Sequence, residues 1–143
     1  MLEWIGNNLQ WLFSGIGVLI ISTFAYAIRN RNIKSNEQIK QVAKRYVDML
    51  DGKINGYHNI PGLILSGAAK LKSNKQLLKV CAKIEECGKP NPLKMWVLKH
   101  IDKKELLNFV RWNKENEIGY SPHYFNEKSF INLVERYNNS KKS

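Results

Sequence analysis

The feature that most constrains this chain is a run of 25 residues, positions 4–28, without a single ionisable side chain: WIGNNLQWLFSGIGVLIISTFAYAI. A helix needs about 20 mostly apolar residues to cross a hydrocarbon layer roughly 30 Å thick, and Leu9 to Ile28 supplies that length. Aromatic side chains favour the membrane interface, and they stand near both ends of the run, at Trp4, Trp11 and Tyr26. Residues 1–28 are therefore predicted to form a transmembrane anchor.

A buried core helix and a cleavable signal peptide are the alternative interpretations of this run. Ala25-Tyr26-Ala27 has the A-x-A form of a cleavage site. However, Glu3 and no Lys or Arg precede the run, whereas a signal peptide begins with a positive segment. The run is also longer than the about 7–15 apolar residues of a signal peptide, so the pattern favours an anchor.

Charge predicts the orientation of the anchor. Lys and Arg near a span stay in the cytoplasm, and the cations lie on the C-terminal side of this one. The predicted contacts to anionic lipid there are Arg29, Arg31, Lys34, Lys40, Lys44 and Arg45. The N-terminus is then outside, residues 29–138 form a basic cytoplasmic domain at the inner (plasma) membrane, and residues 139–143 are a frayed tail. Cys81 and Cys87 agree with a reducing compartment.

Small residues recur on one side of the predicted span, at Ser14, Gly17, Ser22 and Ala25. Small side chains let two helices approach closely, so this face is a candidate for self-association. Exposure of the same face to lipid, without a partner helix, is the alternative. Residues 11–21, WLFSGIGVLII, resemble the anchors of many small bacterial membrane proteins, including accessory proteins of phage-defence systems. That resemblance implies a bacterial effector or accessory subunit.

Residues 29–138 have helical periodicity and no convincing alternation of period two, so the fold class is predicted to be all-α, with five or six short helices after the span. Capping signals at Ser35, Ser73 and Asn126 predict three helix starts. The other helices are predicted to begin near residues 59, 91 and 102, with Asp102 as the cap of the last of these three. The helix from residue 59 is expected to be buried on nearly all sides as far as Leu71. The helix that begins at Ser73 is expected to end at Cys87-Gly88, and the last helix at Tyr137. His100 is expected on the inner side of the helix that begins near residue 91.

The formal net charge is +11, and the residues from 52 to 84 include six lysines and no acid. Lysines four apart share one side of a helix, so this window predicts a stripe that contacts anionic lipid or phosphate, formed by Lys72, Lys75, Lys79 and Lys83. A solvated lysine face is the alternative. Nucleic acid is the rival partner, through a helix-turn-helix around residues 72–74, but only Asn74 and Gln76 are placed to read bases.

No catalytic signature is present: the chain contains no P-loop, G-x-G-x-x-G, G-x-S-x-G or H-E-x-x-H. The one enzymatic hypothesis is an acid–base cluster of His58 with Asp48 and Asp51. The two cysteines fit no zinc spacing, so no metal and no cofactor are expected.

These observations predict a single-pass, membrane-anchored interaction module or effector subunit at the inner leaflet. Exposed aromatic residues, Tyr120, Tyr124 and Phe125, are expected to contact a protein partner or to pack on the bundle. A membrane-tethered nucleic-acid-binding domain is the alternative function.

Overall fold

Helices are the only regular secondary structure in the described part of the chain. A computed structural model describes residues 15–52, 60–94, 96–116 and 126–142, and none of these residues lies in a strand. The elements are α1 (Gly15–Asp51), α2 (Ile60–Leu65), a 3₁₀ turn (Ala68–Lys70), α3 (Asn74–Glu86), α4 (Val97–His100), α5 (Leu106–Glu115) and α6 (Glu127–Ser140). The all-α prediction is confirmed. The chain forms two compact units, residues Met1–Glu37 and Gln38–Ser143.

Helix α1 is one continuous helix of 37 residues. The predicted helix start at Ser35 is therefore wrong, because Ser35 lies in the helix interior, whereas an N-cap residue must be non-helical. The chain has no Gly or Pro between Gly17 and Gly52, so nothing interrupts the backbone hydrogen bonds at Ser35.

The described helices do not support the predicted transmembrane helix. None of them combines the length and the apolar character needed to span a membrane. Within α1 the uncharged stretch covers residues 15–28 and is followed by Arg29 and Arg31. Residues 9–14 of the predicted span lie outside the described residues.

The second unit contains the hydrophobic core. Four helices each contribute apolar side chains at helical spacing, and nearly all of these side chains are fully buried. The main contributions are Ile39, Val42, Ala43 and Tyr46 from α1, Leu77, Val80, Cys81 and Ile84 from α3, Leu106, Leu107, Phe109 and Val110 from α5, and Phe130, Leu133, Val134 and Tyr137 from α6.

Helix α2 ends earlier than its apolar sequence predicts. Ser66 Oγ donates to the Leu63 carbonyl at 2.6 Å, and Gly67 adopts a left-handed φ of 97°. A 3₁₀ turn follows, so the expected helix to Leu71 is broken in two. The expectation that this segment is buried on nearly all sides is wrong at Leu65, whose exposed fraction is 61%.

The predicted start and end of α3 are confirmed. Ser73 is the N-cap, and its Oγ accepts from the Gln76 N–H at 3.3 Å. The Gln76 Oε1 accepts from the Lys72 N–H at 2.7 Å, one residue before the cap. Beyond the helix, Gly88 has φ 69°, a left-handed conformation that glycine adopts without a Cβ clash.

Helix α4 is a single turn, which corrects the prediction of a longer helix from residue 91. Asn91 Oδ1 accepts from the Leu93 N–H at 2.9 Å and holds a turn there instead. One turn cannot maintain a buried face, and the predicted inner position of His100 is wrong. Its side chain is 33% exposed, with Nε2 3.8 Å from Glu127 Oε1.

The N-cap of α6 is confirmed, but its end differs from the prediction. Asn126 and Ser129 form a reciprocal capping box, with Asn126 Oδ1 2.9 Å from the Ser129 N. The helix continues past the expected end at Tyr137 to Ser140. Lys141, in the segment expected to fray, pairs with Glu105 at 2.7 Å, which ties the end of α6 to the start of α5.

Candidate anion-binding surface

The described part of the first unit is a helix with an exposed apolar surface. Its large apolar side chains are between about half and three-quarters exposed, with Phe24 at 71% and Leu19 at 68%. A groove of about 430 Å³ runs along one side of this helix and is lined by Ile20, Thr23, Phe24, Ala27, Ile28 and Arg31. The two hydroxyls bond to the helix backbone: Ser22 Oγ donates to the Leu19 carbonyl at 3.0 Å, and Thr23 Oγ1 donates to the same oxygen. The surface therefore presents few free polar groups.

The small residues predicted for self-association do not line this groove. Ser22 and Ala25 are exposed on another side of the helix, and Gly17 is buried. Ser14 lies outside the described residues.

The six predicted juxtamembrane cations are all exposed on α1. Arg29, Arg31 and Lys34 follow the apolar surface in the first unit. In the second unit, Lys40, Lys44 and Arg45 lie on the sides of α1 away from the buried residues, because those residues occupy the intervening positions 39, 42, 43 and 46.

The predicted lysine stripe on α3 is exposed along its length, opposite the buried face of that helix. Its C-terminal end is neutralised, since Lys83 Nζ lies 2.6 Å from Glu86 Oε2. That hydrogen bond raises the pKa of Lys83 above its ordinary value. Within the described ranges, no carboxylate lies within 4.0 Å of the ammonium groups of Lys72, Lys75 and Lys79. The positive potential is therefore concentrated at the N-terminal end of the stripe.

Asn74 connects this end of α3 to the start of α5. Its Oδ1 accepts from the Leu107 N–H at 2.7 Å, and its Nδ2 donates to the Lys104 carbonyl at 2.6 Å. Asn74 thus supplies the N-terminal hydrogen bond of α5 that Asp102 was expected to supply. Asp102 Oδ1 instead accepts from the Lys104 N–H at 3.0 Å within its own turn.

Arg111 makes a second connection between α5 and the segment before α3. Its Nη2 donates to the Leu71 carbonyl at 2.7 Å, and its Nε donates to the Ala69 carbonyl at 3.3 Å. The guanidinium is half-buried and adds a positive charge beneath the backbone of the loop.

These connections gather lysines that are far apart in the sequence. We call the resulting surface the basic junction, formed by the exposed side chains of Lys70, Lys72, Lys75, Lys103 and Lys104 around the Asn74 bridge. The spacing of residues did not predict that Lys70, Lys103, Lys104 and Arg111 belong to this surface. The contacts that bring the last three here join residues 30 to 42 positions apart.

Two carboxylates stand near the basic junction, and one of them is neutralised. Glu105 Oε2 accepts from Lys141 Nζ at 2.7 Å and from the Tyr137 hydroxyl at 2.6 Å. The hydrogen bond from Lys141, and then that from Tyr137, lower the pKa of Glu105. Asp102 is the other, and one carboxylate does not balance five exposed lysines, so the net charge of the surface stays positive.

The residues proposed to read bases are already used inside the fold. Both polar ends of the Asn74 amide bond to the backbone of the α5 segment, and Gln76 Oε1 bonds to the Lys72 N–H. A helix-turn-helix that reads sequence needs such groups free to reach base edges. The geometry here favours contact with phosphate rather than recognition of bases.

The remaining candidate residues contribute no described site. His58, His123, Tyr120, Tyr124 and Phe125 lie outside the described residues. Asp51 forms an ion pair with Lys89. In the parts of the chain that the structure describes, no three His, Cys, Asp or Glu side chains are close enough to hold a metal ion.

Comparison with known proteins finds no matching family model, no similar curated protein and no similar solved structure.

Proposed function

We propose that this chain is a membrane-anchored interaction module whose N-terminal segment inserts into a bilayer and whose helical bundle lies at the inner leaflet. One observation carries the proposal: the apolar side chains of α1 between Ile16 and Ile28 are exposed rather than packed in a core. A soluble monomer rarely exposes so large an apolar surface, and a bilayer would cover it. The uncharged residues 4–14 extend the same run in the sequence.

The cations after the apolar surface support the orientation. Arg29, Arg31 and Lys34 are exposed directly after Ile28, where anionic headgroups would meet a helix leaving the hydrocarbon layer. Each Lys or Arg near such a surface gains about 1 kcal/mol. With no cation before the run, this asymmetry supports an N-terminus outside and a bundle inside.

Flotation of the full-length protein with neutral phosphatidylcholine vesicles, after an alkaline carbonate wash, tests the anchor. The unmodified chain is expected to float. Leu19→Asp/Phe24→Asp is expected to stay in the dense fraction, because an Asp at the centre of a span, where Leu19 lies, costs about 2.5–3.5 kcal/mol and the second Asp adds to this cost.

Leu65→Asp/Ile131→Asp is the matched control, since Leu65 is 61% and Ile131 36% exposed on the bundle rather than on the predicted anchor. This variant should float like the unmodified chain. If the unmodified chain stays in the dense fraction, or if the double-Asp variant floats equally well, the anchor proposal is wrong.

A more specific version is a bacterial effector that self-associates through its span and perturbs the membrane when its partner signals. It predicts defined oligomers in detergent and loss of membrane potential on overexpression. Ala25→Leu should weaken the oligomer if the small-residue face forms the contact. A monomer that leaves the membrane potential unchanged would contradict this version.

A further inference from the structure

We propose that the basic junction is a second lipid contact, which binds the anionic headgroups of phospholipids independently of the N-terminal anchor. The inference adds a binding surface on the bundle and rests on the proposed function only for the presence of a membrane nearby. The surface consists of Lys70, Lys72, Lys75, Lys103 and Lys104, with Arg111 beneath it.

The fold builds this surface from separate elements, the N-terminal end of α3 and the turn before α5. The Asn74 amide holds the turn of residues 102–105 against the N-terminus of α3, at 2.6 and 2.7 Å. Exposed lysines from two sequence segments, residues 70–75 and 103–104, therefore flank the Asn74 bridge. An ordinary solvated helix face shows the lysines of one helix only, whereas this surface adds those of a second element.

The junction lysines also differ from the lysines of the bundle whose charge is neutralised. Lys83, Lys89, Lys94 and Lys141 each pair with a carboxylate. Of the junction lysines, none has a carboxylate within 4.0 Å among the described residues. Unpaired, exposed charges retain their attraction for an external anion.

The polar groups of the surface favour a lipid headgroup over a nucleic acid that is recognised by its bases. Lysine is a compact point charge that contacts phosphate without directional readout, whereas base recognition requires Arg, Asn or Gln at base edges. Asn74 and Gln76, the amide side chains at this surface, already form hydrogen bonds within the fold, and Arg111 donates to backbone carbonyls. No exposed aromatic residue stands in the described segments 69–75 and 102–105 to stack on a base.

The test uses the full chain carrying Leu19→Asp/Phe24→Asp, so that the anchor does not dominate binding. Sedimentation with phosphatidylglycerol vesicles is compared for three further variants in this background: Lys72→Gln/Lys75→Gln/Lys104→Gln, the pair Lys103→Gln/Lys104→Gln, and the control Lys99→Gln/Lys114→Gln/Lys128→Gln. The control lysines are exposed elsewhere on the bundle, and the control triple removes the same charge as the junction triple.

The junction triple is expected to lower the vesicle partition coefficient by about fivefold per lysine, and the control triple by much less. The Lys103/Lys104 pair should also weaken binding, because the surface is composite. Raising salt from about 0.1 M to about 1 M, which shortens the Debye length from about 10 Å to about 3 Å, should remove the difference.

Equal effects of the two triples, or no effect of either, would overturn the proposal. The proposal would also be overturned if the junction triple abolished binding to duplex DNA at physiological salt but left vesicle binding unchanged. That result would assign the surface to nucleic acid. Failure of the anchor is scored separately, by flotation of the unmodified chain with neutral vesicles.

Discussion

At the scale of single residues, the two cysteines occupy opposite environments. Cys81 is 1% exposed in the core, and burial, followed by the charge of Glu85, raises the pKa of its thiol to about 12. Cys87 is exposed just after the end of α3. Because the thiolate is the reactive form, a thiol reagent should modify one cysteine per native chain and two per unfolded chain.

Counting thiols with a chromogenic disulfide reagent, with and without denaturant, checks this expectation. The Cys87→Ser variant should show no rapidly reacting thiol in the native state. Rapid modification of Cys81 in that variant would show that the packing around α3 opens readily.

Removing the hydroxyl of a buried tyrosine is expected to have opposite effects on the free energy of unfolding at two positions, Tyr46 and Tyr137. Tyr46 is fully buried, and its hydroxyl has no hydrogen-bond partner among the residues that the structure describes. Tyr46→Phe should leave the free energy of unfolding unchanged or raise it by up to about 1 kcal/mol, because an unsatisfied buried polar group is lost. Tyr137→Phe should lower it by about 1 kcal/mol, because the 2.6 Å bond to Glu105 is lost.

Urea unfolding of the two variants beside the unmodified chain measures both effects. A Tyr46→Phe variant that is less stable than Tyr137→Phe would reverse the assignment of satisfied and unsatisfied hydroxyls.

At the scale of elements, the Asn74 bridge is the contact on which the arrangement of α3 and α5 depends most directly. Asn74→Ala removes the side-chain acceptor at the start of α5 and the donor to the Lys104 carbonyl. The expected loss of stability is about 1–3 kcal/mol, comparable to the loss of a helix cap together with a second hydrogen bond. Asn132→Ala on the exposed side of α6 is the control and should be neutral. Equal stability of the two variants would contradict the role given to the bridge.

Sequence reasoning succeeds for elements whose signals are local. The caps at Ser73 and Asn126 are formed within three residues, and both are confirmed. The same kind of signal fails at Ser35, because an uninterrupted run of helix-compatible residues continues α1 through it. A local pattern reports the propensity for a cap, whereas the neighbouring turns decide whether the helix begins there.

The candidate surface was predictable only in part. The four-residue spacing of Lys75, Lys79 and Lys83 reveals the stripe, but the pairing of Lys83 with Glu86 weakens one end of it. Lys103 and Lys104 belong to the basic junction because of the hydrogen bond between Asn74 and the Lys104 carbonyl, 30 positions apart. The periodicity of a sequence does not predict such a long-range contact. The apolar run in α1 can be recognised from the sequence, because it is defined by composition alone.

At the scale of the whole molecule, the protein is expected to lose stability in alkali, because the Tyr46 hydroxyl and the Cys81 thiol are buried. Burial raises the pKa of Tyr46 to about 12 from 10.0, and that of Cys81 to about 12 from 9.0. Both groups are neutral when protonated and bind their protons more tightly in the folded state. Their contribution is therefore fully present below about pH 9 and is lost as the pH rises from about 9 towards about 12.

Urea unfolding at a series of pH values from neutral to alkaline measures this dependence. The Tyr46→Phe/Cys81→Ala variant should be less sensitive to alkali than the unmodified chain, although less stable at neutral pH because Ala leaves a small cavity. An identical pH slope in the two proteins would show that other groups control the alkaline transition.

The central claim, that the N-terminal run crosses the membrane and leaves the bundle inside, is tested most directly by thiol accessibility in intact bacterial cells expressing the full chain. The account predicts that a membrane-impermeant maleimide labels the native Cys87 only after the cells are permeabilised. It also predicts that Glu3→Cys in a Cys87→Ser background is labelled in intact cells. Labelling of Cys87 in intact cells, or recovery of the chain in the soluble fraction, would contradict the claim.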